Sequence, residues 1–194
     1  LINNRKIIKI EINCSSGQRI IKNSLTENIS IYQRATNKFI HIILPKPRLF
    51  IIGAVHIAQA LVSIAQIANY EITLIDPREH FATKKRFPNC TIINEWPDTA
   101  LANLTLDNAS HIITLTHDPK IDDPALITAL KNDTGYIGSL GSKKTHNSRC
   151  ERLKLLGFNK SDLSKIHGPI GLDIKAKTPA EIAISILAEI TSFR

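Results

Sequence analysis

Four short segments carry residues whose types can bind a ligand or move a proton, and each follows a run of apolar residues. They are Gly53-Ala54-Val55-His56, Asp76-Pro77-Arg78, Thr116-His117-Asp118-Pro119 and the stretch from Gly138 to Lys144. Glycines let a backbone approach a phosphate, acids bind sugar hydroxyls, and histidines or lysines supply protons or positive charge. These residue types indicate the binding of a phosphorylated, nucleotide-like ligand.

The first segment lies in a strand, turn, helix, strand pattern that ends at an acid. In a dinucleotide-binding unit the first glycine makes the tight turn, the second lets a pyrophosphate reach the backbone, and the third position needs a small residue. Gly53 and Ala58 occupy the first and third of these positions, but Val55 occupies the second. The pattern therefore predicts a nucleotide-binding fold that does not bind NAD(P) in the ordinary way.

Three side chains beside this turn are candidates for contact with the ligand. Asp76 follows Gly53 by 23 positions, near the spacing of an acid that binds ribose hydroxyls, and Arg78 would instead hold a phosphate. The same aspartate also fits a plain turn residue before a proline. His56 would face the ligand from the start of the helix, although a polar surface position explains it equally well.

The third segment places a histidine close to three aspartates. A histidine among carboxylates fits a metal site or an acid-base pair, and His117 is the residue in question. Asp123-Pro124 fits equally well as a helix N-cap followed by proline, and Asp118-Pro119 as a turn. We therefore predict no metal site and keep His117 as a candidate ligand contact.

The fourth segment is a loop rich in glycine and serine that runs into a basic helix. Its backbone N–H groups can form a phosphate cradle, with charge supplied by Lys143, Lys144 and Arg149. The Gly-Lys-Ser/Thr order of a Walker P-loop is absent, and a capped turn with surface lysines is the competing interpretation. The candidate cofactor contacts in this loop are Gly138, Ser139, Gly141, Ser142 and Lys143.

The elements that must position these segments alternate between strands and helices from residue 48 onward. Apolar runs predict strands at Leu49–Ile52, Ile72–Ile75, Thr91–Ile93, His111–Leu115 and Tyr136–Ile137. Helical periodicity predicts helices at His56–Asn69, Asp98–Leu104, Pro124–Lys131 and Lys143–Leu156, and capping signals add a last helix after Thr178. This alternation predicts an α/β, Rossmann-like parallel sheet with helices on both faces. The four segments then meet at the carboxyl edge of one sheet.

Apolar stripes on two of these helices predict the faces that pack on the sheet. In the first helix the stripe consists of Ile57, Leu61, Ile64 and Ala68. In the last helix the predicted buried stripe is Ile182, Ile186, Ile190 and Phe193. The predicted outer face of that helix carries Glu181, Ser185 and Glu189.

Residues 1–47 predict a small antiparallel β appendage and linker, and residues 48–194 predict the Rossmann-like domain. The appendage has short isoleucine-rich runs at 5–12, 18–22, 29–35 and 38–44, and prolines at 45 and 47 make a stiff connector. Residues 1–48 hold nine Lys or Arg against two Glu, so this part is basic. Few aromatics and no recognition-helix pattern argue against nucleic acid as its partner.

Composition places the chain in a reducing, aqueous compartment. Of its 194 residues, 43% are hydrophobic and 22% charged, which is typical of a globular protein. The longest apolar stretch is interrupted by polar residues and Gly53, so we expect no membrane span and no secretion leader. Its three cysteines, Cys14, Cys90 and Cys150, lack metal-ligand spacing and fit reduced thiols. A cytoplasmic location is therefore expected.

The four segments, together with Pro169-Ile170-Gly171-Leu172-Asp173-Ile174 and Thr178-Pro179-Ala180-Glu181-Ile182-Ala183, resemble the Rossmann half of the xanthine dehydrogenase accessory proteins, the XdhC family. The resemblance runs from Arg48 to the C terminus. It implies a maturation chaperone rather than an enzyme. Such a chaperone binds the molybdenum cofactor in its molybdopterin form, promotes its sulfuration and delivers it to a molybdenum hydroxylase such as xanthine dehydrogenase.

The same resemblance implies partners. A cysteine desulfurase would supply the sulfur, and the chaperone would form a homo-oligomer. Full-length members of the family carry an N-terminal domain with a glycine-rich, cysteine-containing motif, which we do not find in residues 1–48. We therefore expect a split or truncated member, in which that half is missing or is supplied by a separate accessory chain.

Two other functions stay open at this stage. An NAD(P)-dependent oxidoreductase is favoured by Gly53, Ala58 and Asp76, but the sequence shows no convincing Tyr-Lys pair for hydride transfer. A nucleotide-sensing regulatory module, whose basic appendage docks on a partner, would need no chemistry at all.

Overall fold

Two β-sheets organise the chain, which divides into a unit that ends at Lys46 and a unit that begins at Pro47. The computed structural model describes residues 5–24 and 29–193. One sheet belongs to each unit, and each unit has buried apolar residues of its own.

The first unit is an antiparallel sheet in the order β2-β1-β4-β3. Its strands are β1 (Ile7–Asn13), β2 (Arg19–Ser24), β3 (Ile31–Gln33) and β4 (Lys38–Ile43). The predicted antiparallel appendage is therefore confirmed. Its third strand is shorter than predicted, because a 3-10 helix at Arg34–Thr36 and a left-handed residue at Asn37 turn the chain before β4.

The second unit is a six-stranded sheet in the order β10-β9-β8-β5-β6-β7, and every neighbouring pair is parallel. Its strands are β5 (Arg48–Ile52), β6 (Glu71–Ile75), β7 (Thr91–Ile93), β8 (Ser110–Thr114), β9 (Tyr136–Ser139) and β10 (Ile166–His167). From β7 to β10 the chain order is third, second, first, fourth, fifth, sixth, which is the Rossmann order. The predicted fold class is confirmed.

Helices cover both faces of this sheet. They are α1 (His56–Ile67), α2 (Pro97–Ala102), α3 (Pro119–Leu130), α4 (Lys143–Leu155), α5 (Lys160–Leu163) and α6 (Pro179–Ser192). Alternate residues of β5 point to opposite faces, so Leu49 and Ile51 pack with α1 and α6, while Phe50 and Ile52 pack with α2, α3 and α4. None of the helices in the described ranges has the length and apolar character to cross a membrane.

The start of α3 was predicted at the wrong proline. Asp118 is the N-cap, since its side chain accepts a hydrogen bond from the backbone N–H of Lys120, and Pro119 opens the helix. Pro124 lies inside the helix instead of beginning it. Both Asp-Pro pairs have the local chemistry of a helix start, so the sequence does not separate them.

Burial on α1 and α6 also differs from the predicted stripes. On α1 the fully buried positions are Ala58, Leu61, Val62 and Ala65, while Ile57 and Ile64 are only partly buried. On α6 Ile186 and Ile190 are buried as predicted, but Phe193 is 48% exposed. Ser185, predicted to face solvent, is buried because its hydroxyl donates to the backbone oxygen of Leu172. The loop after β10 therefore covers a second side of α6.

Candidate functional site

The turn between β5 and α1 requires glycine at its first position. Gly53 has a φ of +108°, a region that side chains rarely adopt. Its N–H donates to the backbone oxygen of Ile75 at 2.9 Å, and a Cβ at this position would lie 2.5 Å from Cγ2 of Thr116. The turn thus packs directly against the loop that follows β8.

Val55 and His56 follow this turn at the start of α1. Val55 is the N-cap residue, in an extended conformation without a side-chain cap, and its side chain packs partly against the core. His56 is the first helical residue and is exposed. The valine therefore fills the position where a second glycine would leave bare backbone.

Asp76 is fully buried at the end of β6 and binds groups of its own chain. Its Oδ2 accepts the N–H of Ala54 at 2.8 Å, and its two oxygens accept from Nε and Nη2 of Arg78 at 2.9 and 2.8 Å. Burial by itself raises the pKa of Asp76, but these hydrogen bonds and the charge of Arg78 lower it below its ordinary value. The carboxylate is not presented to a ribose in this arrangement.

Arg86 also donates hydrogen bonds to the turn between β5 and α1. Its Nη1 donates to the backbone oxygens of Ala54, at 2.8 Å, and Phe81, while Nη2 donates to Oε1 of Gln59 at 3.2 Å. Both backbone polar groups of Ala54 are therefore occupied, one by Asp76 and one by Arg86. Arg86 was not among the predicted site residues, because its only local signal is a basic run after the second strand of the domain.

Arg78 connects the first turn electrostatically with the loop after β8. Its hydrogen bond to Asp76 raises the pKa of the guanidinium most, and the carboxylates of Asp118 and Asp122 raise it further. The guanidinium also lies over the ring of Phe81, 4.7 Å from its centroid. Arg78 thus belongs to the hydrogen-bond network of the first turn, and its side chain is about one-third exposed.

Asp122 organises the loop between β8 and α3. It is 2% exposed and accepts from Oγ1 of Thr116 at 2.6 Å and from the backbone N–H of His117 at 3.1 Å. Burial raises the pKa of Asp122, although these hydrogen bonds and the charge of Arg149 oppose the shift. The loop holds His117 at a φ of +64° with its side chain exposed.

Several predicted residues of the loop before α4 have structural partners. Ser139 is buried and shares a hydrogen bond with Thr114 across β8 and β9. Gly138 has no room for a Cβ, which would meet Cδ1 of Ile170 at 2.5 Å. Ser142 caps α4, because its hydroxyl accepts the N–H of Thr145 at 3.1 Å.

A cavity of about 240 Å³ lies where α3 and α4 begin. His117 from the third predicted segment and the first two turns of α4 line it together. Lys143 does not line this cavity, and neither does Asp76. The hydrogen-bonding side chains of its lining include those of His117, Lys144, Thr145, Ser148, Arg149 and Arg152.

Arg149 lies beneath this cavity and is 1% exposed. Its Nη2 donates to the backbone oxygen of Leu140 at 2.9 Å, but Nε and Nη1 have no hydrogen-bond partner in the described part of the chain. Burial lowers the pKa of this guanidinium, and the charges of Asp122 and Asp123 oppose the shift. Gly141, at a φ of +147°, lies close by, because a Cβ there would be 3.7 Å from Nη2 of Arg149.

A cysteine and a histidine also meet on α4, one helical turn apart. Sγ of Cys150 lies 3.5 Å from Nε2 of His146. Burial raises the pKa of Cys150 and lowers that of His146, so the pair is neutral at physiological pH and lacks a reactive thiolate. Cys14 and Cys90 are free thiols, and in residues 5–24 and 29–193 no three potential metal ligands are grouped together.

The fold and the turn between β5 and α1 define the class of this protein. A parallel sheet in the Rossmann order with a glycine turn after its first strand is a nucleotide-binding type of domain. Here that turn is closed by Asp76 and Arg86 of the same chain. The chain belongs to the XdhC family, because the family model described as the XdhC Rossmann domain matches residues 49–190. The family predicted from the motifs is confirmed.

Comparison with individual proteins extends this match. The chain is 30% identical over 178 residues to a protein of Bacillus subtilis (strain 168) described as a probable xanthine dehydrogenase subunit, covering 91% of this chain and 52% of that protein. It is 31% identical over 150 residues to the "Molybdenum cofactor insertion chaperone PaoD" of Escherichia coli (strain K12), covering 77% of this chain and 41% of that protein. The chain thus spans about half the length of these curated relatives, or less.

A solved structure resembles nearly the whole chain. It is a crystal structure described as a xanthine dehydrogenase from Bacillus halodurans, with a TM-score of 0.78, 26% identity and coverage of 99% of this chain and 63% of that one. The 178-residue alignment with the Bacillus subtilis protein is also longer than the segment from Arg48 to the C terminus. The similarity therefore extends into the first unit, further than the motifs alone indicated.

Proposed function

We propose that this chain is a molybdenum cofactor chaperone that helps to insert the cofactor into a molybdenum hydroxylase of the xanthine dehydrogenase type. The observation that carries this proposal is the 31% identity, over 77% of the chain, with a relative described as a molybdenum cofactor insertion chaperone. The geometry of the first turn agrees with it, since both backbone polar groups of Ala54 are held by side chains of the same chain. A pyrophosphate that approached this turn would have to displace those contacts.

The proposed binding site lies at the carboxyl edge of the second sheet. We propose that the cofactor lies across His117 and the loop that contains Gly141, Ser142 and Lys143, with the helix start of α4 facing its anionic end. Gly53, Val55 and His56 would border the site, and Arg78 would provide a further positive charge. Gly138, Ser139 and Asp76 are buried, so we assign them the role of fixing these loops. The cofactor is cargo here, and the chain would bind, orient and shield it.

Sulfuration of the cofactor would depend on a partner. The thiol pKa of Cys150 is raised by burial, which works against a nucleophilic, sulfur-carrying role for this residue. We therefore propose a cysteine desulfurase as the source of the sulfur and a separate accessory protein as a second partner. We further propose that the chaperone is a homo-oligomer and acts in the cytoplasm.

Cofactor retention tests the proposed function. The full chain is incubated without oxygen with molybdenum cofactor released from a donor enzyme, is desalted, and is then analysed for molybdenum by mass spectrometry. We expect retained molybdenum in a fixed ratio to protein, and activation of a cofactor-free hydroxylase on mixing. A molybdenum content no higher than that of an unrelated basic protein would contradict the proposal.

An NAD(P)-dependent oxidoreductase is the second candidate, since the glycine turn at Gly53 is intact. A fluorescence titration with NADH separates the two functions. Tight, saturable NADH binding without cofactor retention would favour the oxidoreductase. A nucleotide-sensing module would instead bind nucleotides without retaining molybdenum and without turning over a substrate.

A further inference from the structure

The cavity between α3 and α4 contains a buried cation with unused hydrogen-bond donors. Arg149 is 1% exposed, and only its Nη2 donates within the described part of the chain. A buried charged donor that lacks a partner is costly, and native proteins nearly always satisfy such groups. The N–H group on Nε and the two on Nη1 thus lack an acceptor among the described residues, and both nitrogens are buried, so a ligand reaches them only when the cavity wall shifts.

The neighbouring charges decide the sign of that ligand. Arg152 also lines the cavity, but Asp123 holds it in a two-point pair at 2.6 and 2.9 Å. Asp122 is the carboxylate in the cavity wall, and its oxygens accept from Thr116 and from the backbone of His117. Lys144 adds a positive charge from an exposed position on the wall. An anion is therefore the complementary ligand, and it has to approach from the α4 side, away from Asp122.

The donors around the cavity match a tetrahedral anion. Thr145 and Ser148 contribute hydroxyls from the first two turns of α4, and Arg149 and Lys144 contribute charged N–H groups. The α4 helix has 13 residues, and the positive end of its dipole adds to this field. The cavity volume of about 240 Å³ is below the range of roughly 300 to 1,000 Å³ that encloses a whole drug-sized ligand. It suits the anionic end of a ligand whose remainder stays outside.

We propose that this cavity, the α3–α4 anion site, binds a phosphate monoester, with Arg149 as its principal ligand and Lys144 at its mouth. The phosphate accepts from an N–H group of Arg149, from Lys144 and from the hydroxyls of Thr145 and Ser148. Only the identity of the natural ligand rests on the proposed function, in which the site anchors the phosphate of the molybdenum cofactor. Lys143, Lys144 and Arg149 were all predicted to supply charge at the preceding loop; of these, Lys144 and Arg149 line the cavity and Lys143 does not.

Isothermal calorimetry with inorganic phosphate tests the site directly. The full chain is titrated in a phosphate-free, low-salt buffer beside Arg149→Met, Lys144→Ala and Lys154→Ala. Lys154 lies on the same helix, is exposed and does not line the cavity, so its variant has the same charge change as Lys144→Ala. We expect the Kd for phosphate to rise about tenfold or more in Arg149→Met and about threefold in Lys144→Ala, and to stay within about twofold in Lys154→Ala, because charge-assisted hydrogen bonds are lost only in the first two.

A second variant keeps the test valid if Arg149→Met does not fold. Ser148→Glu places a carboxylate at an exposed position in the cavity wall, where it repels the phosphate and leaves the buried arginine in place. We expect this variant to melt like the unmodified chain and to lose phosphate binding. Undetectable binding of phosphate by the unmodified chain would overturn the proposal, as would an unchanged Kd in both Arg149→Met and Ser148→Glu.

Competition experiments identify the source of the phosphate group. Molybdenum cofactor and AMP are each added to the phosphate-loaded chain, and phosphate release is followed by ³¹P NMR. Release by the cofactor supports the site as its anchor, and release by AMP alone supports a phosphate-monoester site for a nucleotide. Release by neither compound overturns the assignment to phosphate monoesters. Failure of the proposed chaperone function would leave the titration with inorganic phosphate unchanged, so the two failures can be told apart.

Discussion

The first turn of the second unit and the loop before α4 look alike in sequence but differ in how their polar groups are used. Each has a glycine in the left-handed region, Gly53 at +108° and Gly141 at +147°, and each leads into a helix. At the first turn Asp76 and Arg86 hold both backbone groups of Ala54. Beneath the second loop Arg149 keeps two donors without a partner in the described ranges.

A glycine pattern therefore identifies a fold more reliably than a binding site. The glycine at the first turn is explained by its contact with Thr116, since no side chain fits there. Ligand binding needs polar groups that the protein leaves available. By that criterion we propose the site at the ends of β8 and β9 rather than at the end of β5.

The largest effect expected from this comparison is the loss of Asp76. Asp76→Ala leaves the N–H of Ala54 without its acceptor and separates Arg78 from its partner, so we expect a loss of about 2 to 4 kcal/mol in the free energy of unfolding. Arg78→Ala should cost a similar amount, because it leaves the buried carboxylate of Asp76 without its counter-charge. Urea denaturation measures both, and a loss under about 1 kcal/mol in Asp76→Ala would show that the turn is not held in this way.

Acid denaturation tests the contribution of the ionised Asp76 carboxylate to stability. The folded-state pKa of Asp76 is lowered, so its ionised form contributes stability that is fully present above the unfolded pKa of about 3.9 and is lost as the pH falls through the folded value. The stability difference between the unmodified chain and Asp76→Asn should be constant above about pH 5 and shrink below about pH 4. A difference that grows on acidification would contradict the assignment.

At the second loop the expected effect on stability has the opposite sign. Arg149→Met removes a buried, partly unpaired charge, so we expect a change between zero and a gain of about 2 kcal/mol in phosphate-free buffer. The lost hydrogen bond to the backbone oxygen of Leu140 keeps the gain small. A loss above about 2 kcal/mol, measured by urea denaturation, would show that Arg149 serves the fold rather than a ligand.

The smallest effect concerns Val55. Pattern reasoning alone suggests that Val55→Gly opens the turn to NADH, but Asp76 and Arg86 keep Ala54 occupied in either case. We expect the NADH affinity of Val55→Gly to change by less than about threefold, under about 1 kcal/mol, in a fluorescence titration. The double variant Val55→Gly, Arg86→Ala should bind NADH more tightly than Val55→Gly. Tight NADH binding by Val55→Gly alone would contradict the role of Asp76 and Arg86.

Local patterns were sufficient for most of the fold and for little of the site. Apolar runs located five of the six strands of the parallel sheet. The sixth, β10, has only two residues, which are too few to show a period. The start of the last helix followed from its cap at Thr178, whereas two Asp-Pro pairs made the start of α3 ambiguous.

The site residues depend on contacts between distant parts of the chain. Arg149 was expected to supply charge, but its burial beside the β8–α3 loop has no local signature. Arg86 reaches back 32 positions to Ala54, which periodicity does not reveal. The burial of Asp76 likewise depends on its partner. The sequence does not decide whether that partner is a ribose or a group of the protein.

Amide mapping by NMR shows whether an anionic ligand binds at the α3–α4 anion site or at the first turn. The ¹⁵N-labelled chain is titrated with molybdenum cofactor under anaerobic conditions. We expect the largest shift changes at the amides of Lys144 and Thr145 and at Nε of Arg149, with little change at Ala54 and Val55. The largest changes at Ala54 and Val55, with Arg149 unaffected, would contradict it.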